Sequence, residues 1–230
     1  MEGFSYVDMF ATKGIEYLLV IGFLLAFILY FRMLNKKTGA EAKAAVRTAN
    51  TPLDWFHLAK EAFYHQGHSW AAPIEANTVK VGIDDFAQKF LGAPEKIHLP
   101  QIGSRVEQGK VGWNFQFGSK KIEMLSPVNG EVMEINEAAL KDNAIIARAP
   151  YDEGWLMKVK VDDVKQNLNH LLSGKLAIAW MSETVKSLRQ KMSGELGVVM
   201  QDGGLPVAGF ARELSPEKWD EIAAEFFLTE

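Results

Sequence analysis

The chain has 230 residues, 48% of them hydrophobic and 23% charged, a composition that excludes disordered and fibrous classes. Its net charge of −4 supplies no general basic field for nucleic acid. With no cysteine it has no disulfide framework, thiol nucleophile, iron–sulfur ligation or thiolate zinc site.

Residues 15–34, IEYLLVIGFLLAFILYFRML, are apolar, with charges only near the ends at Glu16 and Arg32. About 20 residues at roughly 1.5 Å each reach about 30 Å, so the run predicts a single transmembrane helix in contact with the bilayer. Tyr17 and Tyr30 then fall towards the two interfaces. Basic residues follow the run (Arg32, Lys36, Lys37, Lys43, Arg47) more than they precede it. That order predicts a retained anchor in the bacterial inner membrane, N-terminus outside and the remainder cytoplasmic, and not a cleaved signal peptide. Gly22 and Ala26 form a small-xxx-small pair that lets another helix approach closely.

Residues 36–50 (KKTGAEAKAAVRTAN) read as a solvated connector. Thr51-Pro52-Leu53-Asp54 is a helix start, with a capping threonine, proline in the first turn and an acid behind it, and predicts a helix to about His65. From Gly67 to about residue 161 the texture is short β-rich runs with glycine and proline punctuation. Strands are predicted at 79–83, 96–99, 130–135 and 155–161, with a short amphipathic helix over 84–91. From about Val164 the pattern is helical to about Met192, broken near Ser173-Gly174. A hairpin follows (LGVVMQDGGLPVAGF, turn at Asp202-Gly203-Gly204), then a last helix capped by Ser215-Pro216-Glu217 and running to about Phe227. The organisation is therefore a tail and membrane helix (1–35), a connector and amphipathic helix (36–66), a β-rich domain (67–172) and a helix–hairpin–helix extension (173–230).

Five blocks of the β-rich domain occur in a recognisable order and spacing: GHSW (67–70), VKVGIDDFAQKFLG (79–92), LPQIGSRVEQG (99–109), SPVNGEVMEIN (126–136) and PYDEGWL (150–156). Through them the stretch from Gly67 to about Leu172 resembles the H protein of the glycine cleavage system, the lipoyl-carrying relative of biotinyl/lipoyl domains. The resemblance implies an α+β fold, in which a lipoyl/H-protein-like β-barrel sandwich with flanking helices follows the membrane helix and precedes a C-terminal α/β extension.

In that family a lysine at the tip of a β-hairpin carries lipoate through an amide. Its position is eight residues before the proline of Ser-Pro-Val, and counting back from Pro127 reaches Ser119. The preceding family glutamate corresponds to Gln116, and Phe117-Gly118 fill the interval, so the hairpin WNFQFGSKKIEML (113–125) keeps its length and changes its chemistry. A serine cannot hold lipoate as an amide. Lys120 or Lys121 is the alternative acceptor, although a one-residue shift along a strand turns a side chain to the other face.

Trp113, Phe115 and Phe117 alternate along that hairpin and form either a buried face or an exposed docking surface. His65 and His68 flank Gly67 with no evident third ligand, so no metal site is expected. Asp84-Asp85 reads as a helix N-terminus, and Gly203-Gly204 as a turn without the residues of a phosphate loop. No nucleophile, base and oxyanion donors come together, so no enzyme activity is expected. The reading is a non-catalytic, membrane-anchored accessory or assembly subunit, a partner of other subunits in a larger membrane complex of respiratory or electron-transfer type. It would carry no cofactor and would dock through Trp113, Phe115, Phe117, Lys120 and Lys121, with Gly22 and Ala26 packing in the membrane. The alternative is a tethered carrier of lipoate acylated at Lys120 or Lys121.

Overall fold

The computed structural model describes residues 17–28, 30, 55–195 and 208–229. The chain divides into two compact units, Met1–Thr48 and Ala49–Glu230. In the first unit, helix α1 runs over 17–28 with its described side chains exposed. Among the described residues no helix is long and apolar enough to cross a membrane. That finding corrects the transmembrane helix predicted over 15–34, which would have to be helical and apolar over roughly 30 Å. Residues 15, 16, 29 and 31–34 of that run lie outside the described residues, as do the connector 36–50, the helix start at 51–54 and the hairpin over 196–207.

The second unit is built on two antiparallel sheets. One joins β1 (Phe63–Tyr64), β2 (Ser69–Glu75), β3 (Thr78–Ile83), β9 (Met157–Lys160), β8 (Gly130–Ile135) and β5 (Arg105–Val106), in that spatial order. The other joins β4 (Lys96–His98), β6 (Val111–Phe117) and β7 (Lys120–Leu125). Each predicted strand is present, with ends moved by one or two residues. Strand alternation explains the core. Val79, Val81, Val132, Met157 and Val159 of the larger sheet are fully buried, in one cluster with Trp113, Phe115, Phe117, Ile122 and Met124 of the smaller. Burying an aliphatic side chain of this size contributes about 1.5–3 kcal/mol. Gly130 is required at its place, because a Cβ there would lie 2.3 Å from the Lys160 carbonyl oxygen across the β8–β9 pairing.

The helices are α2 (Asp85–Leu91), α3 (Glu137–Lys141), α4 (Ala144–Arg148), α5 (Val164–Leu168), α6 (Gly174–Glu195), α7 (Ala211–Leu214) and α8 (Trp219–Phe227). Asp84 caps α2, accepting from the Ala87 amide at 2.8 Å, as the acidic pair predicts. The break near Ser173-Gly174 separates α5 from α6, and Ser215 Oγ accepts from Lys218 N just before α8. Met181, Val185, Phe210, Trp219 and Phe227 belong to the same buried cluster as the sheets.

The helix predicted through His65 is absent over 57–65. Long-range partners take the backbone groups a helix would have used. The His57 amide donates to Asp85 Oδ2 at 2.8 Å, the His57 carbonyl accepts from the Tyr151 hydroxyl at 2.7 Å, and Tyr64 exchanges backbone hydrogen bonds with Leu172 at 2.8 Å. Burial of Trp55, Phe56 and Tyr64 holds the segment in place, so tertiary packing overrides local propensity.

Candidate functional site

Strands β6 and β7 pair from Val111↔Leu125 to Phe117↔Lys120, leaving Gly118 and Ser119 as a two-residue loop. Gly118 has φ +58°, and a positive φ at the first loop position is what a type II′ hairpin turn demands. The tip is pinned from both sides. The Gly118 amide donates to Glu95 Oε1 at 2.9 Å, and the Gly118 carbonyl accepts from Gln116 Nε2. Ser119 stands exposed at the end of the hairpin.

Alternation sends the two lysines to opposite faces. Lys121 is opposite Gln116 on the outer face, 51% exposed, and its Nζ contacts Glu123 Oε1 at 2.8 Å. Lys120 is opposite Phe117 on the inner face and only 28% exposed. Its ammonium donates to Asp220 Oδ1 and to the Glu217 carbonyl at 2.6 Å, and lies 5.5 Å from the Trp219 ring centroid. All three partners come from the start of α8 or the turn before it.

Trp219 meets Phe117 edge-on, and Arg212 lies over both rings, 5.0 Å from Phe117 and 5.5 Å from Trp219. The guanidinium also donates to the Leu91 carbonyl at 2.9 Å, which ties α7 to the end of α2. Burial by itself would raise the Asp220 carboxyl. The hydrogen bond from Lys120, the backbone amides of Asp220 and Glu221 and the lysine charge outweigh it and hold the group below its usual value. Between hairpin and helix opens a cleft of about 440 Å³, lined by Glu95, Ser119, Lys120, Arg212 and Trp219 among others.

The docking surface expected of Trp113, Phe115 and Phe117 is corrected: their exposures are 2%, 1% and 7%, and they form core. Gly22 and Ala26 are exposed on α1, and a Cβ on Gly22 would meet nothing within 4 Å. Nor do the paired histidines converge on one point. His65 Nδ1 accepts the Gly67 amide at 3.0 Å, while His68 Nδ1 lies 2.7 Å from Asp84 Oδ2, its ring stacked 4.2 Å from Phe86. Among the described residues no three His, Cys, Asp or Glu side chains are grouped to hold a metal.

Arg212, Trp219 and Asp220 had no role assigned from sequence. Asp220 reads as an ordinary first-turn acid of α8, and its lysine lies 100 positions away.

The chain is similar to known proteins over its sheet domain. A family model described as "Glycine cleavage H-protein" matches residues 62–184. The glycine cleavage system H protein of Saccharophagus degradans is 37% identical over 109 residues, 47% of this chain and 84% of that protein. That of Thermus thermophilus is 36% identical over 107 residues, 46% and 83% of the two chains. The crystal structure of a glycine cleavage system H protein from Mycobacterium marinum aligns with a TM-score of 0.48 at 26% identity, covering 55% of this chain and 98% of that one.

Proposed function

This chain belongs to the glycine cleavage H-protein family, and we propose that it serves as a lipoyl carrier of H-protein type whose acceptor is the Lys120 amine, one residue beyond the family position. The observation that carries the reading is the placement of Lys120 beside the hairpin loop, at the wall of the 440 Å³ cleft that also contains Ser119. Lys121 is the second candidate, next along β7 and on the outer face, 51% exposed.

Ser119 itself does not fit the group, because an ester at its hydroxyl would lack the stability of an amide. The Lys120 amine fits. It would hold the group through an amide, formed when an activated lipoyl donor such as an acyl adenylate gave up its nucleotide and the amine its proton. Bound there, the dithiolane supplies a redox-active arm able to carry a group between enzymes. This chain's own part is positional. The Gly118 turn, anchored by Glu95 and Gln116, fixes where the arm begins. No catalytic role is assigned to its residues, and its partners are the enzymes that load and use the arm.

Ser119 favours a second reading, a docking module of a larger assembly that carries no arm. Intact mass of protein from lipoate-replete cells separates the two. A lipoyl increment lost in Lys120→Ala supports the carrier at Lys120, and one lost only in Lys121→Ala moves the acceptor by one residue. An unmodified mass, also unchanged after incubation with lipoate ligase, ATP and lipoate, overturns the carrier reading in favour of the docking module.

A further inference from the structure

We propose that α7 and α8 form an intramolecular latch that withholds the Lys120 amine from acylation, and that acylation in turn releases the latch. The proposal rests on the assignment of Lys120 as the acceptor. It follows from how the segment is held. One side is anchored in the core, where Ala211, Ala223 and Phe227 are fully buried and Phe210 is 4% exposed. A backbone hydrogen bond from Gly209 to Lys89 at 2.7 Å and the Lys191–Glu225 pair at 2.6 Å fasten it to α2 and α6.

The other side, the beginning of α8, meets the hairpin through Trp219 and the ammonium clamp. Lys120 makes three contacts there, to the Asp220 carboxylate, the Glu217 carbonyl and the Trp219 ring face, and the first and the last need its positive charge. A nucleophilic amine must turn a free lone pair towards the acyl donor, and the clamp instead holds the group against Asp220 and Glu217. The clamp is also releasable, since the Lys120 and Asp220 side chains are 28% and 35% exposed and a pair so placed is weak.

Coupling runs in both directions. Converting Lys120 to a neutral amide removes the ion pair and the cation over Trp219 together. The first turn of α8 then loses its polar hold on the hairpin and keeps only the Phe117–Trp219 ring contact, while Phe227 keeps the helix in place. The arm thus starts from a site that closes when empty and opens when loaded.

Limited labelling of the full chain with an acetylating N-hydroxysuccinimide ester, read residue by residue by peptide mass, tests the latch without a loaded protein. Lys120 is expected to react about fivefold more slowly than Lys121 in the unaltered chain. Asp220→Asn and Asp220→Lys should raise the Lys120 rate towards that of Lys121 and leave Lys121 unchanged. Amide hydrogen exchange over 217–221 should quicken once Lys120 is acetylated. Equal rates at the two lysines before substitution, or a Lys120 rate indifferent to both Asp220 variants, overturn the latch.

Ligase-driven lipoylation separates this outcome from the carrier assignment. If the labelling rates respond to Asp220 while no variant is lipoylated, the latch stands and the carrier reading falls. If the unaltered chain is lipoylated at Lys120 as fast as Asp220→Lys, the carrier reading stands and the latch falls.

Discussion

Phe117 and Trp219 meet at right angles with ring centroids 5.4 Å apart, joining the end of the β6 strand to the first residue of α8. Edge-to-face pairs of this kind contribute about 0.5–1.5 kcal/mol beyond the area they bury. Here the contact is also roofed by the Arg212 guanidinium, so one indole organises both the C-terminal helices and the hairpin tip.

Trp219→Ala is therefore expected to cost about 3–5 kcal/mol, the range for removing a large aromatic from a core. Trp219→Phe should cost much less, because an aromatic ring remains beside Phe117. Chemical denaturation of both variants, with the midpoint read at constant m, checks the ordering. A loss in Trp219→Ala no larger than that of a surface substitution would show that α8 is not seated against the hairpin.

Ser119→Lys restores an amine at the family position. Lipoate ligase with ATP and lipoate should acylate this variant at least about tenfold faster than the unaltered chain, a difference of about 1.4 kcal/mol in barrier. The folded stability should not move, because Ser119 is exposed in the loop. Failure of Ser119→Lys to accept lipoate would show that more of the hairpin than one side chain has departed from the family's recognition surface.

Burial and, after it, the neighbouring His68 depress the His65 imidazole below its ordinary 6.5. The folded state then stays neutral at a pH where the unfolded chain takes up a proton. Stability is full above about pH 6.5, declines as the pH falls through that value and levels off below the folded-state value. His65→Asn retains an acceptor for the Gly67 amide without titrating. Its denaturation midpoint should fall less between about pH 7.5 and pH 5.5 than that of the unaltered chain. Parallel midpoints in the two proteins would remove His65 as the origin of the slope.

Much of the sheet domain was legible because its signals are local. Val79 and Val81 alternate with Lys80, and Asp84 stands where a helix N-terminus needs an acceptor. The alternation of Trp113, Phe115 and Phe117 revealed a shared face, but strand periodicity does not say whether that face meets water or the other sheet. The segment 57–65 misled because the backbone groups of His57 and Tyr64 pair with Leu172, Asp85 and Tyr151, which no short window contains. Length and charge order in the run 15–34 made a span look sufficient, whereas among the described residues no helix is long and apolar enough to cross a membrane. The clamp on Lys120 was invisible for the same reason as the failed helix: its carboxylate arrives from another part of the chain.

Strand β3 hydrogen-bonds along one edge to β2, its immediate neighbour in the chain, and along the other to β9. A polypeptide emerging in order thus exposes an unpaired edge bearing Val79 and Val81 until Met157 and Val159 have followed. Such late pairing slows conformational search and leaves an adhesive strand available to other nascent chains. Yield during rapid synthesis should then depend on how long that edge waits, and slowing translation across the interval would lengthen the exposure.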